Sequence, residues 1–141
     1  DGRGAEDVLS RYPGGGEPWF GELRGMAAAV RGDLTAAAEL LRGSLQARPD
    51  GRVRYNLATV LAAAGRPQEA VQELLLAAEE LAPPAPRAGD RRQEAQVRAK
   101  LAELLLRIGN RVAARRESAY ALELDPANGR ALLILRTLEA E

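Results

Sequence analysis

The 141 residues include no cysteine and no histidine, and only 4% of them are aromatic. The lack of cysteine and histidine excludes disulfides, thiolate and imidazole metal sites, Ser-His and Cys-His nucleophile pairs and the commonest general base. Neither sign of charge is in excess, since 20 basic side chains balance 20 acidic ones. A neutral chain lacks the basic surface typical of nucleic-acid binding, and no apolar run approaches the roughly 18 residues that span a bilayer. We therefore expect a soluble protein that is not an enzyme, with no catalytic residue, metal, cofactor, nucleic-acid partner or membrane span.

Alanine and leucine dominate the composition, while valine, isoleucine and threonine are scarce. This balance favours helices over sheets. Arginine supplies every basic side chain except Lys100, which together with the abundant alanine and glycine indicates a GC-rich, bacterial genome. The chain starts at Asp1 with neither an initiator methionine nor the pattern of a signal peptide, so we expect a fragment or a processed form. The composition fits several compartments, among which the cytoplasm is favoured.

An internal repeat is visible before any secondary structure is assigned. Three similar segments begin with a glycine, at Gly32, Gly65 and Gly109. An alanine stands five residues after each glycine, at Ala37, Ala70 and Ala114. Apolar residues recur at helical spacing on both sides of each glycine, so each unit is predicted to be two amphipathic helices joined there. We expect the glycine to end the first helix in the left-handed conformation.

These units resemble the tetratricopeptide repeat, a helical hairpin of about 34 residues. The middle unit carries the pattern in Leu57, Ala58, Leu61, Gly65, Ala70, Leu74 and Ala77. The third unit carries it in Leu101, Ala102, Leu105, Gly109, Ala114, Ala121 and Pro126, but has Ser118 where a large apolar residue is usual. The resemblance implies an all-α fold, an α-solenoid of antiparallel helical hairpins wound as a right-handed superhelix. We expect a flexible N-terminal arm at 1–16 and a repeat domain at 17–141, with repeats at about 18–50, 51–82 and 95–128, a loop insertion at 83–90 and a final helix at 129–141.

In this family the first helix of each hairpin faces a concave binding surface. Carried over by repeat position, the resemblance implies that the second and third repeats present peptide-binding side chains at Arg52, Tyr55, Asn56, Thr59, Gln96, Lys100, Glu103 and Arg107. Asn56 is expected to hold the backbone of an extended peptide, because its amide both donates and accepts hydrogen bonds. The alternative is an exposed helix face without a ligand. A clamp for a terminal carboxylate is not expected, because only Asn56 fits that pattern and Glu22 reverses the charge at another of its positions.

Charged residues elsewhere have simpler interpretations. Lys100 and Arg107 lie two helical turns apart and could hold an acidic group, but Glu103 between them could instead pair with both. The third unit is locally basic through residues such as Arg98, yet Glu94 and Glu117 are interspersed and no aromatic residue is expected to stack on bases. We interpret Arg98 and its neighbours as a solvated face.

The final helix has more apolar residues than docking on one hairpin requires. Leu132, Leu135 and Leu138 are expected to pack inward, which leaves Leu133 and Ile134 as an apolar interface. We expect these two to be covered by a second copy of the chain, by a continuation of the chain or by the ligand. The predicted function is a protein-protein interaction scaffold that binds a peptide or protein segment in its groove, as adaptor or assembly factor. The alternative is a substrate-recognition or oligomerisation segment of a larger enzyme or regulator.

Overall fold

The computed structural model describes residues 18–82 and 88–140, with side chains described at 21–82 and 91–140. These residues form helices α1 (Pro18–Val30), α2 (Leu34–Ala47), α3 (Gly51–Ala63), α4 (Pro67–Leu81), α5 (Ala88–Arg107), α6 (Arg111–Leu124) and α7 (Gly129–Ala140). No strand occurs within these two ranges. The all-α fold predicted from composition and repeat pattern is confirmed.

The starts of four helices are fixed by side chains that accept hydrogen bonds from the first free backbone N–H groups. Asp33 caps α2 by accepting from the N–H of Ala36 at 3.1 Å, and Asp50 caps α3 by accepting from the N–H of Arg52 at 2.8 Å. The remaining two caps are Asn110 before α6 and Asn128 before α7. Each bond satisfies a donor that the helix itself leaves unpaired, so the short polar residues in the sequence mark these boundaries.

The turn inside each hairpin has the same geometry three times. Gly32, Gly65 and Gly109 have φ of 82°, 78° and 91°, and no other described residue has positive φ. The N–H after each glycine bonds to the carbonyl five residues before that N–H, for example from Arg66 to Leu61 at 2.9 Å. This bond and the left-handed glycine together form the Schellman motif that ends a helix. The predicted role of the three glycines is confirmed.

The hairpins α1–α2, α3–α4 and α5–α6 stack through α2 against α3 and α4 against α5, and α7 packs on both α5 and α6. The alanines Ala37, Ala70 and Ala114 are fully buried. Leu41 and Leu74 fill the space beside the first two contacts, whereas the third has Ser118, also fully buried. Within the described residues, the hydroxyl of Ser118 has no hydrogen-bond partner.

The loop insertion predicted at 83–90 ends earlier than expected, because α5 already begins at Ala88. The expectation was wrong for 88–90. The last proline of this stretch is Pro86, and beyond it alanine, the strongest helix former, lets the helix start. Residues 83–87 and the arm predicted at 1–16 lie outside the described residues.

The final helix is buried on a different face from the predicted one. Ala131, Ile134 and Leu138 pack inward, and Ile134 is only 6% exposed, whereas Leu132 is 38% exposed. The expectation was therefore wrong for Ile134 and Leu132, while Leu133, at 65%, is exposed as predicted. The predicted and the observed apolar stripes of α7 are displaced from each other by about one residue along the helix. The small side chain of Ala131 lets α7 approach α5 and α6 closely on the side that also carries Ile134.

The interpretation of Arg98, Glu94 and Glu117 as a solvated face was also wrong. Arg98 donates hydrogen bonds to Glu94 at 2.7 Å and to Glu117 at 2.9 Å, and the Glu94 side chain is 2% exposed. The Arg98 guanidinium lies 4.0 Å from the centre of the Tyr120 ring. Burial lowers the pKa of Arg98, but its hydrogen bonds to the two carboxylates outweigh this and raise the pKa above the ordinary value. These side chains are enclosed because α5 packs against both α4 and α6.

Candidate functional site

The groove of this solenoid is lined by the first helix of each hairpin, together with α7. Every hairpin folds back at its glycine, and the stacking places α3 against α5 and α5 against α7. A cavity of about 420 Å³ lies along α1, α3 and α5. It is lined by Glu22, Asp50, Arg52, Tyr55, Asn56, Leu81, Gln93, Gln96 and Val97.

A second cavity of about 370 Å³ continues the groove toward α7. Tyr55 and Gln96 border both cavities, so the two spaces adjoin. The remaining lining of the second cavity comes from Ala99 on α5 and from the start of α7, at Asn128, Gly129 and Arg130. An extended segment lying along the groove would meet both cavities in turn.

A chain of polar contacts crosses the groove beside the second cavity. Arg130 of α7 donates a hydrogen bond to the hydroxyl of Tyr55 at 3.2 Å and pairs with Glu103 at 3.0 Å. Glu103 in turn lies 3.6 Å from the ammonium of Lys100. Burial lowers the pKa of Arg130, but its hydrogen bond to Tyr55 and the charge of Glu103 raise it overall. The two cations outnumber the one carboxylate, so this end of the groove is positively charged.

The predicted peptide-binding residues divide into two groups. Four of them, Arg52, Tyr55, Asn56 and Gln96, line the larger cavity together. Lys100 and Glu103 belong to the network at the second cavity. Thr59 and Arg107 line neither cavity, and the Thr59 hydroxyl donates to the carbonyl of Tyr55 at 3.0 Å. Glu103 pairs with Lys100 as considered, but its second partner is Arg130 rather than Arg107.

Gln93 and Arg130 are among the groove residues that were not predicted from the sequence. Gln93 lies almost one helical turn before Gln96, on the same face of α5. Arg130 follows Gln96 by one repeat length of 34 residues, just as Gln96 follows Arg52 by the 44-residue interval of the second and third glycines. The repeat offset therefore carried a signal for Arg130.

Residues 18–82 and 88–140 contain no group of carboxylates arranged to hold a metal ion. None of the helices in those ranges is both long enough and apolar enough to cross a bilayer.

Comparison with known proteins supports the repeat assignment. A family model described as tetratricopeptide repeat matches residues 18–42 and 51–75, which begin with α1 and α3. The chain is also similar to a solved structure described as the first TPR of Spaghetti (RPAP3) bound to the HSP90 peptide SRMEEVD. The two share 16% sequence identity and have a TM-score of 0.72, covering 88% of this chain and 91% of that one. No curated protein matches the sequence.

Proposed function

We propose that this chain, whose first two hairpins match the tetratricopeptide repeat, is a protein-interaction scaffold that binds a peptide or protein segment in its groove, as an adaptor or assembly factor. The observation that carries the proposal is the group of amide side chains around one cavity, namely Asn56, Gln93 and Gln96. Each amide both donates and accepts hydrogen bonds, and therefore suits a peptide backbone, which alternates N–H and C=O groups.

The scaffold holds its ligand without changing it chemically. Asp50, one of the two described carboxylates that line the cavity, accepts hydrogen bonds from the backbone N–H groups of Arg52 and Val53 and so serves as a helix cap. Tyr55 is held by Arg130. Because the helices fix these side chains before the ligand arrives, little ordering free energy is lost on binding.

The test replaces the central amide. Asn56→Ala removes hydrogen bonds to the ligand backbone and is expected to weaken binding by about 1–2 kcal/mol, roughly a five- to thirtyfold rise in Kd. Isothermal titration calorimetry with a peptide selected by the wild-type chain from a random library measures this effect. Gln72→Ala is the matched control, since Gln72 is an exposed amide on α4 outside both cavities. Equal affinity of wild type and Asn56→Ala would place the binding site elsewhere.

A second candidate function is an oligomerisation segment of a larger protein. The observation that favours it is Leu133, a large apolar side chain that is 65% exposed on α7. An exposed apolar residue on the last helix of the stack can contact a second copy of the chain.

A further inference from the structure

The charge and the lining of the larger cavity favour a particular group of the ligand in addition to its peptide backbone. We propose that it binds a cationic group of the ligand, a lysine or arginine side chain or an N-terminal amine, with Glu22 as its counter-ion. This inference rests on the proposed function, since the cation belongs to the segment bound in the groove.

Glu22 supplies a negative charge that no other described residue of the cavity neutralises. It lies half-buried on α1, and within the described residues no hydrogen bond or ion pair joins it to another side chain. The other two charged groups of the described lining cancel each other, because the Arg52 guanidinium lies 4.0 Å from the Asp50 carboxylate. The described lining of the cavity therefore has a net charge of about −1, located at its α1 wall.

The remaining walls suit the long apolar stem of a basic side chain. Leu81 and the buried Val97 give the cavity apolar surface, and the ring of Tyr55 borders it. Lysine and arginine place their methylene groups along such surface while the charged end reaches a polar rim. An aromatic ring nearby also attracts a cation through its π face.

The other end of the groove selects against a cation. Among the described residues, Glu103 is the one carboxylate that pairs with Lys100 and Arg130, so the charge beside the second cavity is positive. Charge complementarity therefore directs a cationic group of the ligand to the cavity of Glu22 and away from the cavity of Arg130. The sign of charge changes along the groove at Tyr55 and Gln96, which border both cavities.

A peptide library with one fixed residue per position tests the proposal on the full chain. Heptapeptides that are acetylated and amidated remove the terminal charges, and fluorescence anisotropy reports binding. We expect lysine or arginine to be preferred at one position. A second library with free N-termini distinguishes the sources, since a terminal amine as ligand gives binding only in that library.

Glu22→Gln then removes the charge while keeping the shape of the side chain. Loss of a charge-assisted hydrogen bond should raise the Kd of the best basic peptide about tenfold. The wild-type affinity should also fall with added salt more steeply than that of the variant. Glu39→Gln is the matched control, because Glu39 is an exposed carboxylate on α2 and should leave the Kd unchanged.

The outcomes separate this inference from the function on which it rests. Peptide binding without a preference for a basic group, or with equal Kd for wild type and Glu22→Gln, would overturn the cation site and leave the scaffold function standing. Failure of both libraries to bind would overturn both. A tenfold loss confined to Glu22→Gln would establish the site.

Discussion

Single small residues set the geometry of each hairpin. Glycine at positions 32, 65 and 109 allows the left-handed backbone conformation of the turn. A residue with a Cβ adopts this conformation only at a cost in conformational free energy. Alanine at 37, 70 and 114 then lets the two helices of the hairpin approach closely. Ser118 departs from the pattern, because a buried hydroxyl without a partner among the described residues stands where the other hairpins have leucine.

The close approach of helices predicts a specific cost for enlarging an alanine. Ala114→Leu adds three carbon atoms at a fully buried position of α6 and should lower the free energy of unfolding by about 1–3 kcal/mol through overpacking. Urea denaturation followed by circular dichroism measures this change. Ala119→Leu in the same helix is the control, since Ala119 is exposed and the substitution should have little effect. Equal stabilities of the two variants would contradict the assigned repeat register.

In the second and third hairpins, an arginine of the first helix forms ion pairs with glutamate of the second helix. Arg54 of α3 bonds to Glu73 at 2.9 Å and to Glu80 at 2.7 Å on α4. Arg98 of α5 bonds to Glu117 on α6 in the same way. The pair of Arg54 and Glu73 recurs 44 residues later as Arg98 and Glu117, so the same contact occurs in two hairpins, whereas Glu80 corresponds to Leu124. The repeat offset therefore indicates the recurring arginine–glutamate pair. In the sequence alone, however, a mixture of both charges is also typical of a solvated surface.

Removing only Arg98 from the ion pairs of the third hairpin should destabilise the fold. Arg98→Met leaves Glu94, whose side chain is 2% exposed, without its counter-ion and should lower the free energy of unfolding by about 3 kcal/mol. Thermal melts at neutral pH with matched buffers measure the loss. Arg42→Met breaks the pair with Glu69, in which both side chains are about 40% exposed, and should cost less than about 1 kcal/mol. Similar losses in the two variants would mean that the Arg98 network is solvated.

Over the whole molecule, stacking of three hairpins produces the groove, and α7 closes one end of it. Arg130 at the start of α7 reaches Tyr55 on α3 across the face of α5. The two residues are 75 positions apart in the chain, and the packing of α3 and α7 against α5 brings their side chains to 3.2 Å. The same docking of α7 buries Ile134 and leaves Leu133 outside.

Two neighbouring substitutions in α7 test that docking. Ile134→Glu places a carboxylate in the apolar core and should lower the free energy of unfolding by about 3 kcal/mol or more, whereas Leu133→Glu should change it by less than about 0.5 kcal/mol. Differential scanning calorimetry compares the two. Light scattering on wild type and Leu133→Glu tests the oligomerisation candidate, because a dimer held by Leu133 should become a monomer in the variant. A larger loss for Leu133→Glu than for Ile134→Glu would show that the predicted face of α7, not the observed one, is buried.

The sequence by itself determined the helical class, the three hairpin turns and the close-packed alanines, whereas the placement of Asn56 in the groove was implied by the resemblance to a known repeat. These features follow from local rules, namely helix propensity, the need for glycine at positive φ and the fixed offset of a repeat. A residue that obeys such a rule is recognisable without its distant neighbours.

Only the tertiary structure decided which face of α7 is buried, which carboxylates enclose Arg98 and how charge is distributed along the groove. Periodicity in α7 allowed two apolar stripes, and the choice depended on the surface that α5 and α6 present. The charge of the larger cavity likewise depends on Asp50 cancelling Arg52 while Glu22 stays unpaired among the described residues. Such pairings are set by distances of a few ångströms between separate helices, and these distances arise only when the hairpins stack.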